Sequence, residues 1–212
     1  NLNKYAKMIY DVISYNGEQE LFEIRYNILK DTVDEFIVVE FDKTFSGKPK
    51  SQLFTQHWDK VIYFWHDEGV YNKYMDLALA SPNTKGANHW KTEFCQKESI
   101  KDALTYLKND DIIFLGDVDE IYEPREFQLS DIITTPTVKF KLRVYAYYLN
   151  NRSTEEFWGT LATTWGILKN ICLNEARTDP FYKTRRECGW HFTSMRHQLA
   201  KKLTDSYTEE DY

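Results

Sequence analysis

Residues 9–14 form a short apolar run broken by one acidic residue, and the run ends at Tyr15-Asn16-Gly17, which reads as a strand entering a turn. Over 18–30 the apolar residues Leu21, Phe22, Ile24, Ile28 and Leu29 recur at helical spacing, so an amphipathic helix is expected there. Residues 35–40 carry Phe36, Ile37, Val38 and Val39 without interruption, the pattern of a strand covered on both faces. Strand, helix and strand in that order make a parallel βαβ unit. A polar loop over 42–56, with Ser46-Gly47-Lys48-Pro49 inside it, leads to a strand at 60–65. A turn cluster at 82–86 precedes a long helix over 90–107, marked by Phe94, Ile100, Ala103, Leu104 and Leu107. Residues 111–116 read as a central buried strand stopping on Gly116, 138–148 and 160–168 as later strands, and 194–203 as a helix. No repeat, low-complexity tract or linker divides the chain, so one α/β domain over 1–212 is expected.

The buried strand runs into Asp117-Val118-Asp119. Side chains alternate along a strand, so the two aspartates leave one face and Val118 the other. Two carboxylates beside Glu120 and Glu123 repel one another unless a cation lies among them. Oxygen ligands of this kind suit Mg²⁺ or Mn²⁺, which complete their shells with phosphate oxygens. The carboxyl end of a strand is also where open α/β sheets bind ligands. A metal there offsets the charge growing on a departing diphosphate. The same chemistry serves a phosphatase or a nucleotidyltransferase, and a plain solvated acidic turn is the bland alternative.

Composition narrows the field. Aromatics make up 16% of the chain, with 15 Tyr, 13 Phe and 6 Trp, more than a core requires and suited to flat amphipathic ligands such as sugars and bases. A net charge of −6 counts against a nucleic-acid binder working by bulk electrostatics. It leaves a nucleotide ligand open, because a bound cation reverses the local sign. Cys95, Cys172 and Cys188 are odd in number and lack paired spacing, so they read as reduced thiols and not as a disulfide framework or zinc site. The chain has no membrane span, and residues 1–7 are polar, which together with the thiols points to the cytoplasm, the host's if the protein is viral. The sequon Asn151-Arg152-Ser153 matters only in the secretory path. The uncapped ending Glu209-Glu210-Asp211-Tyr212 suggests a piece of a longer polypeptide.

Four blocks in order resemble glycosyltransferase family seventeen, the bisecting-type N-acetylglucosaminyltransferases. Asp110-Asp111 through Asp117-Val118-Asp119-Glu120-Ile121 is similar to its D-D-x-x-x-x-x-D-x-D-E-I segment, and Glu20-Leu21-Phe22-Glu23-Ile24-Arg25 to its E-L-x-x-E-I-R helix. Val38-Val39-Glu40 with Thr44-Phe45-Ser46-Gly47-Lys48-Pro49-Lys50 resembles V-x-E-x-x-x-T-F-S-G-x-x-K, and Gly189-Trp190-His191-Phe192-Thr193 resembles G-W-H-F-S. The chain also resembles chlorella-virus glycosyltransferases that build capsid glycans. The resemblance implies a GT-A fold with a mixed, mostly parallel central sheet flanked by helices. It implies a nucleotide-binding half at about 8–120 and an acceptor half at about 121–212. The implied activity is metal-dependent transfer of a hexosyl or deoxyhexosyl group from a nucleotide sugar, a UDP-sugar, to a glycan or glycoprotein acceptor. Between Pro124 and Glu187 little of the family pattern can be matched, so the linkage cannot be carried over.

On that basis Ser14, Tyr15 and Asn16 are expected at the nucleoside, with Tyr15 stacking on the base, and Glu40 at the base or ribose. Gln96, Lys97, Asp117 and Val118 are expected at the nucleotide or diphosphate. Asp117, Asp119 and His191 are the expected ligands of Mn²⁺ or Mg²⁺; a neutral imidazole is a suitable third ligand, although a lone histidine is usually a core residue. Lys48 reads as a solvated lysine, since it lacks the flanking strand–loop–helix of a P-loop. Trp158 and Trp190 could offer ring faces to an acceptor sugar. An inverting reaction needs a base; Glu155, Glu156, Asp179 and Glu187 are candidates, nothing selects one, and the catalytic residue stays unknown. Two other classes remain open: a sugar-1-phosphate nucleotidyltransferase, and a non-catalytic carbohydrate-binding scaffold of the same shape.

Overall fold

The structure is a computed structural model that describes residues 7–84, 88–128, 130, 137–179 and 183–195. Its first half is the expected βαβ unit and its continuation. Strands β1 (Ile9–Tyr15), β2 (Glu35–Phe41), β3 (Val61–His66) and β4 (Ile112–Asp117) lie parallel, with β1 between β2 and β4. Helix α1 (Gln19–Leu29) joins β1 to β2. Two short helices, α2 (Glu68–Tyr71) and α3 (Met75–Ala80), lead from β3 to α4 (Asn88–Ser99). The continuous apolar runs are explained by cover on both faces. Phe36 and Val38 of β2 pack with α1 residues Leu29 and Phe22, while Ile37 and Val39 pack with Phe94 and Cys95 of α4. Each such fully buried side chain contributes roughly 1.5–3 kcal/mol.

Asp11, the acidic break in the first run, is completely buried, and Arg25 of α1 grips both of its oxygens at 2.7 Å. A charge in the middle of an apolar strand is tolerated because its partner enters the core with it.

The second half continues the same sheet with mixed directions. Strand β6 (Thr137–Ala146) and β7 (Arg152–Thr164) form a hairpin, and β7 runs antiparallel beside β4. Strand β8 (Lys183–Thr193) lies parallel to β6 and antiparallel to the short β5 (Glu120–Ile121). Among the described residues the eight strands follow the order β3-β2-β1-β4-β7-β6-β8-β5 in one sheet, the mixed, mostly parallel, helix-flanked architecture expected.

Several expectations need correction here. The long helix ends at Ser99 and continues as a 3-10 turn, Ile100–Leu104. The strand expected over 160–168 stops at Thr164, where Trp165–Leu168 turns helical, and it begins at Arg152. The polar segment from Arg152 to Glu156 is the outer, largely exposed part of the hairpin, which is why its pattern does not read as a buried strand. Strand β8 was not anticipated. It is held against β5 by Gly189, whose φ is +118° and whose position would set a Cβ 2.2 Å from the Ile121 carbonyl oxygen, so only glycine fits. Of the helix expected over 194–203, all but residues 194 and 195 lies outside the described residues. No helix among the described residues is long and apolar enough to cross a membrane.

Candidate active site

A cavity of about 410 Å³ opens at the carboxyl ends of β1, β2 and β4 and reaches β7 and β8. Asp117 and Asp119 both line it. Val118 between them is buried with Ile13, Ile121 and Phe192, as strand alternation requires; it also borders the cavity.

The acidic turn is held from beneath. Beyond its grip on Asp11, Arg25 donates through Nη1 to the carbonyl oxygens of Asp117 at 3.1 Å and Glu120 at 2.7 Å. Glu120 is itself buried, and its Oε2 accepts from the Asp117 amide at 3.2 Å and the Thr160 amide at 3.0 Å. Gly159 makes that arrangement possible, because a Cβ there would stand 2.8 Å from Glu120 Cδ.

The two aspartates have different surroundings. Asp117 accepts from Ser14 Oγ at 3.0 Å and from Arg177 Nη1 and Nη2 at 3.1 and 2.7 Å, with Lys97 Nζ 3.7 Å away. Burial pushes the Asp117 carboxyl up, but the charges of Arg177 and Lys97 and the hydrogen bonds from Arg177 and Ser14 outweigh it. The group is held well below the usual carboxylate range. Arg177 also reaches Glu120 Oε1 at 3.1 Å. Its helix, Leu173–Thr178, is fastened to α4 by Glu98, which accepts from the Asn174 amide and side chain at 3.0 Å each. Asp119 instead faces His191, whose Nε2 lies 3.6 Å from its Oδ2 and whose ring stacks on Phe157 with centroids 4.0 Å apart.

These positions bear on the expected metal. Among the described residues no three His, Cys, Asp or Glu side chains gather closely enough to hold an ion. The expected trio does not gather here, because both oxygens of Asp117 are engaged by Arg177. Asp119 and His191 remain a carboxylate oxygen and an imidazole nitrogen on one wall of the cavity. Ligands bonded at roughly 2.1 Å sit about 3 Å apart around a divalent ion, close to the 3.6 Å observed. A pair suffices where phosphate oxygens complete the shell, so the residues present fit such an ion.

Other expected residues divide. Ser14, Asn16 and Lys97 line the cavity; Lys97 pairs with Glu93 at 2.7 Å and lies over the Phe45 ring. Gln96 borders it but is fully buried, and its Nε2 donates to the Lys43 carbonyl at 3.0 Å, bracing the loop that forms one wall. Tyr15 also borders the cavity, but its expected stacking is corrected: the residue is only 2% exposed and its ring is packed edge-on against Phe22 and Phe54, so no face is open to a base. Glu40 is corrected too. Its buried carboxylate accepts from the Leu53 and Phe54 amides, Lys50 Nζ and Tyr63 Oη, which pins the 42–56 loop and leaves it no role at a ribose.

Trp158 and Trp190 do not line the cavity; Lys141 lies over the first ring and Arg143 over the second. They are the strand neighbours of Phe157 and His191, which do line it, and alternation sends them to the opposite face. Glu155, Glu156 and Glu187 border a separate surface groove, where Glu156 pairs with Lys141 and Glu187 with Arg152. Asp179 does not border the cavity either. The carboxylates that do, apart from the turn itself, are Glu18 and Glu93. Arg177 and Phe157 were missed. Both lie in the stretch that matches no family block, and no local pattern marks either one.

The model of glycosyltransferase family 17 matches residues 1–209. The chain belongs to glycosyltransferase family 17. It is thus a transferase that takes a sugar from a nucleotide-sugar donor to an acceptor. Among curated proteins no sequence matches it. Similar solved structures include a 4-diphosphocytidyl-2C-methyl-D-erythritol synthase, at 11% identity over 88% of this chain and 90% of that one, TM-score 0.44. Mouse xyloside xylosyltransferase 1 in its apo form matches at 8% identity over 83% and 73%, TM-score 0.40. The galactosyltransferase LgtC, in complex with donor and acceptor sugar analogs, matches at 8% identity over 76% and 60%, TM-score 0.38. Likeness at this level concerns the fold and decides neither donor nor acceptor.

Proposed function

We propose that this family 17 transferase binds a UDP-sugar in the cavity at Asp117-Val118-Asp119 and transfers its hexosyl or deoxyhexosyl group to a glycan. The observation that carries the reading is the convergence of Lys97 and Arg177 on Asp117 beside the Asp119–His191 pair, all in one cavity. Two cations beside a carboxylate and an imidazole suit an anionic diphosphate with a metal ion. Lys97 and Arg177 bind the diphosphate oxygens, and the Arg177 fork offers two parallel donors. Asp119 and His191 hold Mn²⁺ or Mg²⁺. When bound, that ion offsets the charge that builds on the leaving diphosphate. Ser14 and Asn16 lie where the nucleoside is seated. The resemblance to chlorella-virus enzymes supports a capsid glycan as acceptor and the host cytoplasm as the site of action.

The test is a panel of UDP-, GDP- and TDP-sugars with and without Mn²⁺, read as release of free nucleoside diphosphate as the sugar passes to water or to added glycosides, with Mn²⁺ binding measured separately by calorimetry. Metal-dependent release of UDP is expected, together with Mn²⁺ affinity lowered at least tenfold, on the order of 1.4 kcal/mol, in Asp119→Ala and His191→Ala while their circular dichroism stays native. Pyrophosphate released in a parallel incubation with nucleoside triphosphates and sugar 1-phosphates establishes a nucleotidyltransferase instead, and binding without turnover under every condition a scaffold. Unchanged Mn²⁺ affinity in His191→Ala removes that residue from the site.

A further inference from the structure

The hairpin joining β6 to β7 ends in Tyr147, Tyr148 and Leu149, which are 48%, 49% and 60% exposed. Three adjacent large apolar side chains at a loop tip have no folding reason to face water. The tip is not loose. Ala146 and Asn151 are joined by a backbone hydrogen bond at 3.1 Å, the Asn151 side chain donates to the Ala146 carbonyl at 3.0 Å, and the Asn151 amide donates to Tyr148 O at 3.0 Å. Tyr147 is held at φ +66°, a left-handed conformation that costs a non-glycine residue energy and that is common where function requires a fixed shape.

The tip also abuts the cavity. Ala146 pairs with Thr193 in the β6–β8 ladder, and the Tyr147 amide donates to the Thr193 carbonyl at 3.4 Å. Thr193 and Ser194 line the cavity in which the donor is read to lie. The tip therefore adjoins the end of β8 that forms part of the cavity wall.

We propose that Tyr147, Tyr148 and Leu149 form the platform on which the acceptor glycan rests as its hydroxyl enters the cavity. The inference rests on the donor reading above. A pyranose offers an apolar C–H face and a rim of hydroxyls. Aromatic side chains with a polar tip, next to the amides of Asn150 and Asn151, meet both. The three side chains together expose on the order of 300 Å², well short of the roughly 800 Å² per partner of a standard protein interface, so a short, weakly held ligand fits better than a protein partner. Among the described residues the cation next to the tip in sequence, Arg152, is paired with Glu187 at 2.6 Å and so adds little of the basic charge that draws a loop to an anionic membrane.

The platform can be tested with the double variant Tyr148→Ser/Leu149→Ser, which leaves the strained Tyr147 backbone alone. The probes are p-nitrophenyl glycosides of glucose, galactose, mannose, N-acetylglucosamine, fucose, rhamnose and xylose. Binding is read by saturation-transfer NMR, and transfer from the UDP-sugar by steady-state kinetics. At least one glycoside is expected to bind the native chain, with its Kd and its acceptor KM raised about tenfold in the variant and the donor KM within about twofold. Equal acceptor KM and Kd in the two proteins overturn the proposal, as does a native chain that binds UDP and Mn²⁺ but none of the glycosides. Binding to phosphatidylserine vesicles that the variant loses assigns the tip to a membrane and overturns it as well. Glycoside binding that depends on the tip in a chain that does not bind UDP retains the platform and rejects the donor reading instead.

Discussion

Arg25→Met separates the two duties of the buried arginine, which holds Asp11 inside the core and the acidic turn in place. Removing it leaves the Asp11 carboxylate, completely buried, without its partner; breaking a buried pair from one side costs about 3–5 kcal/mol. That is a large share of the roughly 5–15 kcal/mol that a domain has in total. With a urea m-value of about 2–3 kcal/mol/M for a chain of this size, the midpoint should fall by about 1–2.5 M. The double variant Asp11→Leu/Arg25→Met removes the stranded charge and should regain at least about 1 kcal/mol, since a packed apolar pair replaces a buried ion pair at little cost. Recovery should be incomplete, because the Asp117 carbonyl loses its Arg25 donor; the Glu120 carbonyl keeps the Thr160 hydroxyl at 2.7 Å. Urea titration followed by tryptophan fluorescence measures all three proteins. A loss under about 1 kcal/mol for Arg25→Met, or a double variant no more stable than the single, would refute the argument.

Two more predictions follow from the same packing. Gly159→Ala sets a Cβ against Glu120 and the Phe157 ring, so it should cost about 1–3 kcal/mol and weaken donor binding as Glu120 withdraws from the Asp117 amide, both measurable by urea titration and UDP calorimetry. Burial pushes the thiols of Cys95 and Cys172 up to about 11 and that of Cys188 up to about 12, so the reactive thiolate is scarce at pH 7.5. Iodoacetamide should leave all three unmodified in the folded chain and alkylate all three in urea, as mass spectrometry will show.

The parallel half of the sheet was legible because its signals are local. β1, α1, β2, β3 and β4 each lie within two residues of the expected bounds at either end, since a continuous apolar run or a helical stripe reports burial directly. The same locality placed Asp117 and Asp119 at a strand's carboxyl end. What it could not show is which groups arrive from elsewhere. Arg177 reaches Asp117 across 60 positions of sequence and Arg25 reaches its carbonyl across 92. The expected stacking of Tyr15 and the expected ribose contact of Glu40 failed for a related reason. Standing at a strand end fixes a residue's address, but whether its side chain meets the ligand or the core depends on neighbours such as Phe54 and Leu53, supplied by a loop with no periodic pattern. Trp158 and Trp190 were each one residue from a side chain that does line the cavity, and one residue is enough to change faces.

The division between the two aspartates changes how the motif works. As a sequence, Asp117-Val118-Asp119 is a pair of like charges that must repel a diphosphate unless a metal lies between them. In the structure Asp117 already has its countercharges, Arg177 and Lys97, so it acts as the post that keeps two cations aimed into the cavity. Both are long side chains that would otherwise sample many rotamers, and holding them in place beforehand lowers the ordering cost of binding. A diphosphate entering the cavity can take over hydrogen bonds that Asp117 now accepts, exchanging one anionic acceptor for another without stripping fresh water from the guanidinium. Asp119 has His191 beside it and, among the described residues, no such cation, so on the proposed reading it is the carboxylate that would hold a metal. On that reading the first aspartate orders the positive side of the site and the second would supply the ligand. Replacing either one should weaken donor binding, but only loss of the second should change the affinity for Mn²⁺ in the absence of nucleotide.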